Sequence, residues 1–174
     1  VIDPAQGIDE PRDVLIREGR IGAILQPGGG GRRPGDLDVS GSFVTPGLID
    51  LHGHWYEGAP WGLDPAVNLK SGVTTPVDAG TAGYENFAWF RQSTSERSPV
   101  GVLAFIHVGS LGLPSMNVGE LEEFRYVRVP DTVEVIERNR DVIVGVKARL
   151  GTNPCGPNVL AAADAALDAA GRTG

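Results

Sequence analysis

The chain has 174 residues, 41% of them hydrophobic and 21% charged, the balance of a globular protein rather than a disordered one. Fifteen Lys and Arg against twenty-two Asp and Glu leave a net charge of -7, which argues against nucleic-acid and membrane-surface partners. Its one cysteine, Cys155, excludes an internal disulfide and suits a cytoplasmic location, and no stretch reads as a membrane span or a signal peptide.

The opening stretch reads as β. Asp13–Arg17 and Arg20–Leu25 flank Glu18-Gly19, a two-residue turn with Gly where a positive φ is easy. Residues 27–35 form a surface loop; the four glycines Gly28–Gly31 lack the Gly-Lys-Ser/Thr ending and following helix of a phosphate cradle. Two short strands, 38–40 and 42–44, are expected around Gly41. Beyond Pro46 the character changes. Leu48–Leu51 reads as a strand, 64–71 as a helix closed by Gly72, and 73–78 as a second strand in which Pro76 is awkward. Residues 84–92 suit a helix, 100–108 a third strand, 132–139 a helix, 142–146 a fourth strand and 158–170 an alanine-rich helix. Strand and helix thus alternate four times, the pattern of parallel βαβ units. A closed (β/α)8 barrel takes about 250 residues, so this stretch covers about half of one. A start at Val1 and an end at Gly171-Arg172-Thr173-Gly174 read as those of a piece of a longer protein.

The strongest chemical signal is Leu51-His52-Gly53-His54 at the end of an apolar strand. Residues i and i+2 of a strand face one side, so His52 and His54 project together, with Asp50 one step deeper. Two imidazoles suit a borderline metal such as zinc, Gly53 leaves room for close approach, and Asp50 can orient a ligand from behind. The bland alternative is a pair of exposed strand-end histidines. Lys147 ends the fourth strand, where burial makes an amine nucleophilic; by itself it reads more readily as a lysine snorkelling to the rim. Asp78 before Ala79-Gly80 reads by itself as a turn former or cap, and His107 as an ordinary strand-end histidine. All four positions nevertheless fall at the carboxyl ends of successive strands, the face on which barrel active sites form. Trp55, Tyr56 and Trp61 follow closely and either line a pocket or pack in the core. Cys155 has no partner base near it in sequence.

The run Val44-Thr45-Pro46-Gly47-Leu48-Ile49-Asp50-Leu51-His52-Gly53-His54 resembles the signature opening of the amidohydrolase superfamily. Residues 2–9, Ser71-Gly72-Val73-Thr74-Thr75, Val77-Asp78-Ala79-Gly80 and residues 139–147 narrow the resemblance to its amidohydrolase/deacetylase, dihydroorotase-like branch. The resemblance implies the N-terminal half of a (β/α)8 TIM-type barrel over 47–174, an α/β fold, preceded over 1–46 by part of a small β-sandwich. It implies two divalent ions, usually zinc. His52 and His54 would bind the more buried ion, and Lys147, carboxylated by CO₂, would bridge both as a carbamate. A hydroxide between the ions would then attack an amide, cyclic imide or acetyl ester carbonyl of a small molecule. Lys147 is therefore the expected catalytic group, and Asp50, Asp78, His107 and Tyr56 are candidates for contacts behind the ligands or to substrate. Pro76 and His107 depart from the family pattern, as does the segment Leu150–Cys155. The resemblance further implies two histidines and an aspartate, which would lie on strands beyond residue 174.

Two other readings are open: a barrel kept as a non-catalytic scaffold, and an inactive fragment. The expected partner is a small-molecule substrate, and the expected assembly is a homo-oligomer.

Overall fold

The computed structural model describes residues 1–174, which fall into two compact units, Val1–Gly47 and Leu48–Gly174. In the first unit β1 (Ile2–Asp3) pairs antiparallel with β2 (Ile8–Asp9), and β3 (Asp13–Arg17) with β4 (Arg20–Leu25). The β3–β4 turn places both Glu18 (φ 51°) and Gly19 (φ 72°) in the left-handed region, the twist that a two-residue hairpin demands. The strands expected at 38–40 and 42–44 do not form. Gly41 takes φ 80° and the Ser42 N–H bonds back to the Val39 carbonyl at 3.0 Å, so the backbone turns locally; its one strand-like bond runs from the Ile2 N–H to the Val44 carbonyl, 2.9 Å.

The second unit is a four-stranded parallel sheet in chain order, β5 (Leu48–Gly53), β6 (Val73–Gly83), β7 (Leu103–His107) and β8 (Ile143–Lys147). This is an α/β arrangement of successive β/α units, part of a TIM-type barrel. Between β5 and β6 the chain forms a 3₁₀ helix, Pro65–Ser71. Asp64 caps it by accepting the Ala66 N–H, and Gly72 closes it at φ 77°. The helix expected at 84–92 is reduced to α1 (Phe87–Phe90), continued by a wider π-helical turn, Arg91–Ser95. Next come α2 (Val129–Arg138), the short α3 (Thr152–Cys155) and the alanine-rich α4 (Val159–Thr173). Pro76 is tolerated inside β6 because pairing with β7 begins only at Val77.

Alternation along β7 sends Ala104 and Ile106 into a buried layer with Phe87, Phe90, Val102 and Ile136. Phe105 and His107 take the opposite face. There they meet Gly145, where a Cβ would lie 2.9 Å from the Phe105 ring, and Lys147, the register partner of His107. A second cluster, Val108, Leu121, Cys155 and Ala162, packs the segments that follow β7 and β8. No helix is long and apolar enough to cross a membrane.

Candidate metal centre at the strand ends

β5 stops at Gly53, so His52 is its penultimate residue and His54 lies just past its end. Their rings stand edge-on, 5.9 Å between centroids. His52 is exposed and His54 half-buried. Trp55 explains why the chain closes down here. It is buried, its indole Nε1 donates to the Val77 carbonyl at 3.3 Å, and it lies across Gly53, where a Cβ would come within 2.1 Å of the ring. Trp55 is therefore core rather than pocket wall. Tyr56 next to it is partly buried, edge-on to Phe90 at 5.7 Å, and burial pushes its phenol above the ordinary value.

Asp78 ties this turn to the sheet. β6 runs past it to Gly83, so Asp78 is not the strand's last residue as expected, but it is level with Gly53 across the ladder and keeps its place at the rim. One carboxylate oxygen accepts the Trp55 N–H at 2.8 Å and the other the Thr81 N–H at 2.7 Å. Burial raises the Asp78 pKa; these two N–H bonds and the His54 ring pull it partly back. Thr81 in turn reaches His54, with Oγ1 2.8 Å from Nδ1. That contact engages one ring nitrogen and leaves Nε2 available. Asp50 does not orient a histidine ring: its Oδ1 accepts the His52 backbone N–H at 3.1 Å, an i to i+2 contact typical of Asp near a strand end.

Burial lowers the His54 pKa below its ordinary value of 6.5, against the pull of the Asp78 carboxylate, and the charges on His52, Lys147 and Arg149 lower it further. The ring is thus held in the neutral form that metal ligation requires. Lys147 stands at the end of β8 in a slot made by an absent side chain. Gly80 takes φ 82°, and a Cβ there would lie 2.5 Å from Lys147 Cγ, 2.7 Å from its Cβ and 3.5 Å from His107 Cβ. No carboxylate lies within ion-pair distance of its amine. Two imidazoles, one neutral and anchored through Nδ1, together with an unpaired lysine in a cut-out slot, are a donor set that fits a divalent metal. The structure does not bring three His, Cys, Asp or Glu side chains together at one point.

His107 is fully buried, so it faces protein rather than solvent. Its Nδ1 accepts the Gly109 N–H at 2.9 Å, and its Nε2 points at Glu120 Oε1, 3.6 Å away. Glu120 grips Arg149 through two bonds of 2.8 and 2.7 Å, and its side chain is only 3% exposed. Burial alone drives the Glu120 carboxyl up, yet the facing His107 ring and the Arg149 guanidinium hold it below its ordinary value. Thr81, Glu120 and Arg149 escaped the sequence reading. The i, i+2 spacing of Lys147 and Arg149 was the one signal that pointed to any of them, because it places both on one side of the strand end. Cys155 is buried and donates to the Arg149 carbonyl at 3.3 Å, a packing role.

No protein-family model matches the chain. A deacetylase of Agrobacterium fabrum (strain C58 / ATCC 33970) is 38% identical over 143 residues, 79% of this chain and 35% of the relative. Among solved structures, a dihydroorotase superposes with a TM-score of 0.82 at 30% identity, covering 96% of this chain and 45% of the other. An adenine deaminase superposes with a TM-score of 0.75 at 25% identity, covering 94% and 44% respectively. The chain thus spans about a third of the length of the curated relative and under half of the solved chains.

Proposed function

Because this chain belongs to the amidohydrolase superfamily, we propose that it supplies part of the active site of a metal-dependent hydrolase that cleaves an amide, cyclic imide or acetyl ester of a small molecule. His52 and His54 would hold a divalent ion, for which two imidazoles suit zinc. Lys147, carboxylated by CO₂ with loss of a proton from its amine, would supply an anionic carbamate as a further ligand. Bound metal supplies Lewis acidity toward the scissile carbonyl. The chain's own residues do the positioning. Thr81 fixes the His54 ring, Asp78 fixes the His54–Trp55 peptide, and Gly80 makes the slot in which Lys147 stands. Residues 1–46 contribute to a small β-sandwich, and the whole enzyme is a cytoplasmic homo-oligomer.

The observation that supports this reading is the His54–Thr81 contact of 2.8 Å, which leaves Nε2 free to ligate. It also favours a working site over a non-catalytic scaffold, which has no need of an anchored, neutral histidine. The test is metal analysis of the full-length protein after reconstitution with zinc and bicarbonate. Zinc bound at two equivalents, with hydrolysis of N-acetyl or cyclic imide substrates, is the expected result; no bound metal sinks the proposal.

A further inference from the structure

Glu120 lies on the connection between β7 and α2, and its side chain is almost wholly buried although it carries a charge. Burying a carboxylate is costly unless its oxygens are fully engaged. Arg149 engages both, through Nε at 2.8 Å and Nη2 at 2.7 Å. The Arg149 Nη1 meets only the Met116 sulfur, at 3.5 Å, on the same connection. His107 faces the pair. Because its Nδ1 accepts the Gly109 N–H, the proton of the neutral ring is on Nε2, directed at Glu120 Oε1 across 3.6 Å. That separation is too long for a hydrogen bond, and Nε2 is a buried polar atom with no partner of its own. The Gly109 N–H thus fixes the tautomer, and the Glu120 carboxylate faces the Nε2–H without closing the contact.

Both residues held by Glu120 adjoin Lys147. His107 is its register partner on β7, and its Cβ walls the slot beside Gly80. Arg149 is two residues further along the chain, and the Cys155 thiol donates to its carbonyl. The remaining contacts between the two segments run the same way. The Leu121 N–H bonds to the Pro154 carbonyl at 2.8 Å, and the Asn158 amide donates to the Leu121 and Glu122 carbonyls at 3.2 and 2.7 Å.

We propose that Glu120 is a positioning residue for the site: its buried carboxylate fixes Arg149 and faces the Nε2–H of His107, and these two residues flank the slot in which Lys147 stands. The proposal rests on the metal-site reading above for its purpose, but it is testable without metal. In the metal-free full-length protein, Glu120→Gln removes the charge and puts an amide NH₂ against the Arg149 guanidinium where a carboxylate oxygen accepted. The Nε2–H signal of His107 is then expected to shift, because the negative charge facing it across 3.6 Å is removed. The rate of Lys147 acylation by acetic anhydride, normalised to Lys70 as an exposed control, is expected to change at least about threefold, a shift of the size that loss of one positioning bond produces. Where Glu120→Gln fails to fold, Glu120→Gln/Arg149→Met removes the stranded cation with its partner and carries the same two readouts. A folded variant in which either readout matches the wild type overturns the proposal. Zinc titration keeps the two claims apart. Wild-type protein that binds no zinc defeats the metal-site reading alone, whereas zinc-binding wild type should lose about 10–100-fold in affinity on Glu120→Gln. Unchanged zinc affinity in the folded variant overturns the positioning role.

Discussion

His54 shows how the state of a single side chain is set by what it touches. Thr81 takes one nitrogen, burial removes water, and three positive neighbours oppose its protonation. The consequence for stability has a definite sign. A histidine whose folded pKa lies below its unfolded value of 6.5 binds fewer protons folded than unfolded in the acid range, so its contribution is complete above pH 6.5 and is lost as pH falls through the folded value. The melting temperature of the metal-free protein should therefore decline as pH drops below about 6.5, the unfolded histidine value. His54→Asn should flatten that decline, and an unchanged slope would refute the assignment. Asp78 works in the opposite sense, since burial raises its pKa and disfavours its ionised form; protonation on acidification relieves that cost in the carboxylate range.

At the scale of elements, the end of the sheet is built from missing side chains as much as from present ones. Gly53 admits Trp55, Gly145 admits Phe105, and Gly80 admits Lys147. Gly80 is the sharpest case because its φ of 82° and its contact with the lysine stem act together. Gly80→Ala should cost about 1–3 kcal/mol from left-handed strain and overpacking. It should also displace Lys147, read as altered acylation of that lysine beside a lowered denaturation midpoint. Unchanged stability would mean that the slot relaxes freely. Much of this level was legible in advance. The alternation of apolar and polar runs located all four parallel strands and α4, and Asp64 and Gly72 marked the ends of the 3₁₀ segment. The strands expected near Gly41 failed because a glycine with positive φ supports a turn as readily as a strand end, and no alternating pattern in Asp38–Val44 decides between them.

For the molecule as a whole, the sheet leaves two unpaired margins. β5 exposes Leu48, Ile49 and Leu51, and Val144 on β8 is half exposed, while Leu160 and Leu167 sit uncovered on α4, seven residues apart on one face. Parallel strands of this kind occur covered on both faces, and an exposed apolar edge is a template for association. The 174-residue chain expressed by itself should associate in a concentration-dependent way in sedimentation velocity. A monomer that melts in one cooperative step would contradict this.

The sequence by itself determined the family resemblance, the order of β/α units and the candidate residues at the strand ends. These are properties of local pattern, of periodicity and of short motifs, and such patterns survive in a one-dimensional string. It could not determine who supports whom. Thr81 on His54 spans 27 positions, Trp55 on Asp78 spans 23, and Arg149 on Glu120 spans 29. Those partnerships arise only when parallel strands bring remote segments into register and burial makes each unpaired polar group expensive. Polar satisfaction in a low-dielectric interior is a three-dimensional condition, and only the tertiary structure decided how it was met.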